Sequence, residues 1–341
     1  MAETGRIRRA VRSVWFKAAV AAVVVGLLFA FNRIEPQALL QLGKTWPWLL
    51  GALALMLPPF VIVSYRFQII LRAQGVEVSL REALRWTMIG SFFDLAMPSS
   101  NGGDLVKAGY VVKYVGPGLR TRAVMAVLFD RVLGLLGLFL LASVVSIFGW
   151  SVVRDIPARN LLLLCLFGAS FGALLGFRII GARRLYNAPF LQKLFAKGVW
   201  GARIRQLVGA FNELRERPAS MAAALALSMF NHMFWCLALL CIARAVGDQV
   251  DWIKGFVVFP LAIFSNIFGV AGGFGLGTAA FDLFLSHLLD IGNGALIGLL
   301  FQSLGALSRL AGLPFYLGAS RSGQLQAVEA QEKAARDAAE F

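Results

Sequence analysis

The chain has 341 residues, of which 59% are hydrophobic and 15% charged, and its mean hydropathy is +0.73. So little polar surface excludes a water-soluble globule of this size and predicts an integral membrane protein. The formal net charge of +15 does not indicate nucleic-acid binding, because the basic residues lie in short segments that flank apolar runs. All three cysteines lie within apolar runs, so no disulfide framework is predicted.

Six apolar stretches are long enough to cross a membrane, since a helix needs about 20 mostly apolar residues to span the hydrocarbon. We predict that the spans are 15–31, 46–65, 123–149, 160–180, 219–243 and 295–318. Basic residues precede the first of them and no small-residue cleavage site follows it, so we expect it to be retained as a signal anchor.

Two further apolar stretches are each interrupted by a glycine-rich break. Residues 84–115 contain the break 94–104, and residues 252–290 contain the break 266–275. Non-helical backbone at membrane depth is tolerated only where it is buried in protein or lines a wet cavity. We therefore predict two re-entrant hairpins, each entering and leaving on one side of the membrane, and a cavity that they line.

Basic residues set the predicted orientation. The linker 178–217 carries nine basic residues against two acidic ones, and the N-terminus is also basic. The positive-inside rule places both in the cytoplasm, which leaves 32–45, 150–159 and 244–254 outside. The tail 319–341 is then cytoplasmic, so both termini are expected there, in a bacterial cytoplasmic (inner) membrane.

The two halves match at a constant offset. Residues 72–75 (RAQG) match 244–247 (RAVG), and 123–129 (AVMAVLF) match 295–301 (ALIGLLF), both at 172 positions (244 − 72 = 172; 295 − 123 = 172). The alternative is chance similarity among apolar segments, which is common. The constant offset favours a duplication.

The second half is expected to be inverted, because three spans lie between the equivalent starts of the halves. The predicted fold is all-α: a polytopic membrane protein of six full spans plus two re-entrant hairpins arranged as an inverted repeat. Repeat 1 covers about 46–149 and repeat 2 about 219–318, within a single membrane domain 1–318. Inverted halves with broken helices are typical of secondary transporters.

Short motifs in these stretches carry a family resemblance. Residues 91–104, then Phe129-Asp130-Arg131 and 272–277, resemble the lysylphosphatidylglycerol synthase transmembrane (flippase-like) family, over about 15–318. The resemblance implies a domain that moves lipids between leaflets. In the family's namesake, a separate cytoplasmic synthase domain makes the aminoacylated lipid. The chain stops at Phe341, so the resemblance implies translocation without synthesis.

Ionisable and polar side chains at membrane depth are functional candidates, because burying them in lipid is costly. The predicted substrate-binding and translocation residues of the first half are Asp94, Asn101, Gly102, Gly103, Asp104, Lys107, Asp130 and Arg131. Those of the second half are Asn266, Gly272, Gly273, Thr278, Asp282 and Arg309. Of these, Arg131 is the predicted phosphate contact, since its fork of donors suits a phosphodiester.

Several of these candidates also have a structural interpretation. Asp104 is placed to cap a half-helix, and Lys107, three positions on, is spaced to pair with it or to meet a lipid phosphate. Arg131 is near enough to the start of a span to reach the cytoplasmic interface. Asp282 and Arg309 are candidates for an ion pair across helices.

The predicted function is a lipid transporter, or flippase, that moves an anionic or isoprenoid lipid between leaflets. Its predicted partners are membrane lipids, with self-association left open, and no nucleic acid, cofactor, metal site or catalytic residue is predicted. His232 and His287 are isolated in sequence and are interpreted as packing residues. Two alternatives stay open: a membrane-embedded lipid-modifying enzyme that uses Asp94 and Asp104, and a scaffold that docks partners on 178–217.

Overall fold

The described residues of the computed structural model are 36–96, 102–180, 187–190, 192, 198–268 and 275–321. The predicted first span, the tips of both breaks and most of the tail therefore lie outside them. So do parts of the basic linker and three of the predicted site residues, Asn101, Gly272 and Gly273.

The described part of the chain is all-helical and contains no strand, which confirms the all-α part of the predicted fold. Its α-helices are α1 (Pro36–Leu55), α2 (Pro58–Ala73), α3 (Leu80–Ala96), α4 (Gly102–Tyr114), α5 (Arg120–Phe148), α6 (Trp150–Val153), α7 (Arg159–Ile180), α8 (Gly198–Arg215), α9 (Pro218–Ala245), α10 (Trp252–Ser265), α11 (Leu276–Leu289), α12 (Gly294–Arg309) and α13 (Leu313–Arg321). Single 3₁₀ turns occur at Pro117–Leu119, Asn266–Phe268 and Leu310–Gly312.

Five helical segments in these ranges are long and apolar enough to cross a membrane. They are Leu42–Ala73, Arg120–Phe148, Arg159–Ile179, Pro218–Ala245 and Gly294–Gly318. They coincide with five of the six predicted spans and confirm an integral membrane protein. The segment Arg159–Ile179 lies at the periphery, and Leu164 and Phe171 are 69% and 67% exposed there, as expected of side chains that face lipid.

Both predicted hairpins correspond to pairs of short helices that pack against each other, α3 with α4 and α10 with α11. Each first helix begins at a sequence-encoded cap. The Ser79 hydroxyl accepts from the Glu82 amide at 3.2 Å while the Glu82 carboxylate accepts from the Ser79 amide, which is a capping box. Asp251 accepts from the Lys254 amide at 3.1 Å.

The order of helices repeats along the chain. The two caps are 172 residues apart (251 − 79 = 172), and so are the ends of α2 and α9 (245 − 73 = 172). The following long helices, α5 and α12, begin 174 residues apart (294 − 120 = 174). Re-entrant insertion of the hairpins and inversion of the second half stay predictions.

The α9 helix joins the two halves, packing against α1, α2 and α5. The crossing of α5 and α9 is close, because a Cβ on Gly137 of α5 would overlap the Ser228 side chain of α9. Buried side chains of α2 to α5, with Phe67 and Phe129 among the largest, form one apolar core. Those of α9 to α12, with Phe281 among the largest, form another. Arg66 of α2 lies beside the α5–α9 crossing, where it is hydrogen-bonded to Ser228.

Candidate functional site

Three charged side chains from three helices meet inside the first half. Arg66 of α2 donates through Nε to Asp130 Oδ1 of α5 at 2.7 Å, and Lys107 of α4 donates to Asp130 Oδ2 at 2.9 Å. Their side chains are only 6%, 5% and 7% exposed, in the order Arg66, Lys107 and Asp130. Two cations and one anion leave this charged trio with a formal charge of +1. A buried charge is tolerated only when it is paired and hydrogen-bonded, and each member of the trio meets that condition.

The neighbours of the charged trio fix its geometry. Arg66 Nη1 donates to the Ser228 hydroxyl at 2.9 Å, which ties the trio to α9. The Lys107 ammonium also lies over the Phe67 ring, 3.5 Å from its centroid, in a cation–π arrangement. A Cβ on Gly134 would come within 3.1 Å of Arg66 Nη1, so the lack of a side chain there leaves room for the guanidinium.

A second ion pair, between Asp104 of α4 and Arg131 of α5, lies beside the charged trio. Arg131 and Asp104 are 31% and 36% exposed, so this pair is far more accessible than the charged trio. Asp130 and Arg131 are adjacent on one helix and contact different partners. Pairing with Asp104 is one of the two roles predicted for Lys107, and in its place Lys107 pairs with Asp130 and Asp104 with Arg131, each between two helices.

Asp94 joins the two helices of the first hairpin. Its Oδ1 accepts from the Gly103 amide at 2.8 Å, so it satisfies one of the unpaired N–H groups at the start of α4. That is the capping role considered for Asp104. The helices approach so closely here that a Cβ on Gly103 would overlap the carbonyl oxygen of Gly90. Gly102 is buried at the first position of α4.

These groups surround a charged cavity of about 280 Å³ between α2, α3, α4, α5 and α9. Its formally charged lining residues are three basic and three acidic: Arg66, Lys107, Arg131, Asp94, Asp104 and Asp130. The lining also includes Thr87 and Asn231. Their side-chain oxygens, Oγ1 and Oδ1, are buried and have no hydrogen-bond partner among the described residues. Unsatisfied buried polar atoms at a roomy site are what a polar ligand or water would satisfy.

The second half has a smaller polar cavity of about 160 Å³, to which α9, α10 and α12 contribute. Asn266, Gln302 and Arg309 are among its lining residues. Thr278 lies behind it and donates to Gln302 Oε1 at 2.6 Å. His232 lines both polar cavities, and its Nε2 lies 3.0 Å from the carbonyl oxygen of Gly134.

The predicted site residues thus divide by position. Six of the eight first-half residues line the charged cavity, and of the second-half residues Asn266 and Arg309 line the smaller one. Asp282 is buried on α11 and lines neither cavity. The anticipated Asp282–Arg309 ion pair is not among those of the described residues, and Asp94 is the acidic group that attracts Arg309.

The site residues predicted from the sequence do not include Arg66, Ser228, Gln302 or His232. The signal for Arg66 was a lone cation just past the predicted end of a span at 65, and the helix in fact continues to Ala73. Within the described ranges, no group of three or more His, Cys, Asp or Glu side chains could hold a metal ion.

The chain matches a known protein family over most of its length. A family described as "Lysylphosphatidylglycerol synthase TM region" matches residues 14–311, which is most of the chain. None of the curated proteins compared with the chain matches it.

Proposed function

The chain belongs to the lysylphosphatidylglycerol synthase TM region family, and on that premise we propose that it moves an anionic or isoprenoid lipid between the leaflets of its membrane. The observation that carries the proposal is the charged cavity, in which six formally charged side chains surround about 280 Å³ among apolar helices. Charged groups at such depth are costly and mark substrate pathways in membrane proteins. A polar headgroup is the substrate part that such a cavity suits.

The two kinds of ion pair have different roles in this proposal. The buried charged trio keeps its geometry and holds α2, α4 and α5 together. The Asp104–Arg131 pair is a third exposed, so its partners can exchange. A lipid phosphate that replaces Asp104 would engage the planar fork of Arg131 through charge-assisted hydrogen bonds.

A neighbouring apolar groove suits the hydrocarbon chain of the lipid. It encloses about 760 Å³ between α5, α7, α10 and α11, and Phe139 and Phe264 contribute to its lining. Their rings are in contact, with centroids 5.1 Å apart. One helical turn from Phe139, Leu135 lines the charged cavity, and so does Ile267, three residues after Phe264. The headgroup and the chain of one lipid would therefore occupy adjoining sites.

The transport proposal contains no chemical step. Each carboxylate of the charged cavity has a structural partner: Asp94 accepts from an amide, Asp104 pairs with one guanidinium, and Asp130 holds two cations.

The proposal includes re-entrant hairpins from inverted halves that meet at the cavity. It also includes a cytoplasmic-membrane location with both termini in the cytoplasm.

Weakening the exchangeable pair is expected to slow lipid movement. Arg131→Ala removes the proposed phosphate contact and should lower the rate at least about tenfold, the equivalent of one charge-assisted hydrogen bond. Asp104→Asn should also lower it, because the carboxylate that releases and recaptures Arg131 is lost. The rate is measured as the movement of a fluorescent phosphatidylglycerol analogue across liposomes that contain purified protein.

Arg81→Ala is the matched control for this experiment, because Arg81 is exposed at the start of α3 and lies outside the charged cavity. It should move the lipid at the wild-type rate. If Arg131→Ala and Asp104→Asn were as fast as Arg81→Ala, the role assigned to the pair would be wrong.

A further inference from the structure

The two polar cavities differ in charge. The charged cavity has three basic and three acidic lining residues, so its formal charge is zero. In the smaller cavity, Arg309 is the one formally charged residue in the described lining. Asp94 attracts Arg309 but belongs to the lining of the charged cavity, and within the described ranges no carboxylate lies within ion-pair distance of Arg309. An anion is therefore favoured electrostatically in the smaller cavity.

Hydrogen bonding in the smaller cavity favours the same ligand. Thr278 donates to Gln302 Oε1 at 2.6 Å, and Gln302 Nε2 donates to Asn266 Oδ1 at 3.0 Å. Both carbonyl oxygens of the two amide side chains are thereby occupied. The hydrogen bonds among the described residues do not use the second N–H of the Gln302 amide or the two N–H groups of the Asn266 amide. These three donors are therefore available to a ligand. Asn266 and Gln302 lie with Arg309 in one lining.

The remaining polar lining residues carry no formal negative charge. The Trp235 indole is a donor only. His232 donates through Nε2 to the Gly134 carbonyl, and its Nδ1 is buried without a partner in the described part of the chain. In the neutral ring this nitrogen accepts hydrogen bonds, so it suits a hydroxyl group of the ligand or a water beside it. No acidic side chain is part of the described lining.

We propose that the Arg309 cavity is an anion site that binds a phosphate group through the Arg309 guanidinium and the Asn266 and Gln302 amides. The assignment rests on the proposed lipid transport only in taking a phospholipid as the source of that phosphate. It makes the smaller cavity a second station for the headgroup, with His232 in the lining shared by both cavities. Phosphate recognition is then shared between Arg131 in the first half of the chain and the Arg309 cavity in the second.

Gly277 provides a way to test the site without changing its charge. A Cβ at this position would lie 2.5 Å from Asn266 Oδ1 and 3.0 Å from Gln302 Nε2, so it would push apart the amide groups that the site uses. Gly277→Ala should weaken phosphate binding several-fold although every charged residue is retained.

Calorimetric titration of the full chain in detergent tests the proposal with three probes: dihexanoyl phosphatidylglycerol, inorganic phosphate and dihexanoylglycerol, which has no phosphate. Arg309→Gln should weaken binding of the phosphatidylglycerol at least about tenfold, and Arg309→Lys should weaken it less because the charge is kept. Arg154→Gln, an exposed arginine outside this cavity, is the control and should bind as wild type does. Dihexanoylglycerol should show no dependence on Arg309.

The probes also distinguish the source of the phosphate. A loss confined to phosphatidylglycerol identifies a lipid phosphate, whereas an equal loss with inorganic phosphate identifies a free anion as ligand of the same site. Unchanged phosphatidylglycerol affinity in both Arg309→Gln and Gly277→Ala would overturn the proposal. Lipid transport would still stand after that result if the wild-type protein moved lipid in liposomes. Arg309-dependent binding without lipid movement would instead support the phosphate site and contradict lipid transport.

Discussion

Asp130→Asn is expected to destabilise the protein by about 3–5 kcal/mol, the range for removing one partner of a buried ion pair. The substitution would leave Arg66 and Lys107 buried with no carboxylate between them, raising the formal charge of the trio from +1 to +2. Lys107→Met would lower it to zero and keep the Arg66–Asp130 bond, with a thioether placed over the Phe67 ring. We therefore expect a clearly smaller loss from Lys107→Met.

Unfolding of the purified variants in one detergent, followed by helix circular dichroism, measures this order of stability. Lys113→Met is the matched control, because this lysine lies on the same helix near its end, away from the charged trio. It should unfold close to wild type. A loss for Lys107→Met as large as that for Asp130→Asn would contradict the charge balance that we assign to the trio.

Gly103→Ala is expected to cost about 1–3 kcal/mol and to slow lipid movement, because overpacking forces the backbone apart. The added Cβ would overlap the Gly90 carbonyl oxygen and would lie 2.6 Å from Asp94 Oδ1. One of these atoms belongs to the backbone, so α3 and α4 would have to separate. Lys107 is one turn further along α4, and the charged trio would shift with it.

Gly109→Ala is the control on the same helix. Apart from the backbone of its own helix, no atom of the described residues lies within 4 Å of a Cβ at Gly109, so this variant should be unchanged or stabilised by up to about 1 kcal/mol through higher helix propensity. Unfolding in detergent and lipid movement in liposomes are measured on both variants. Equal stability of Gly103→Ala and Gly109→Ala would show that the close contact of α3 and α4 does not constrain the site.

The membrane class, five of the spans and the two interrupted helix pairs could be predicted from the sequence, because each depends on local composition. A run of about 20 apolar residues has few alternatives to a spanning helix. Glycine-rich breaks and caps such as Asp251 mark helix boundaries in the sequence itself. The offset of 172 residues also separates helix boundaries in the structure, namely the caps at Ser79 and Asp251 and the ends of α2 and α9.

The partners inside the site could not be predicted in the same way. Local spacing favoured a pair between Asp104 and Lys107, whereas the packing of three helices brings Lys107 to Asp130, 23 residues away, and Arg66 to the same carboxylate, 64 residues away. The spacing of these residues in the sequence does not indicate which of them pair with each other. Gln302 was missed for the same reason, since its role depends on Thr278 and Asn266 from two other segments.

The rate of phosphatidylglycerol movement in liposomes tests the central claim most directly. Wild-type protein, Arg131→Ala and protein-free liposomes are prepared from one lipid stock, and bleaching of a fluorescent analogue in the outer leaflet follows exchange with the inner leaflet. The account predicts fast exchange with wild-type protein and at least about tenfold slower exchange with Arg131→Ala. Exchange with wild-type protein no faster than in protein-free liposomes would contradict lipid transport.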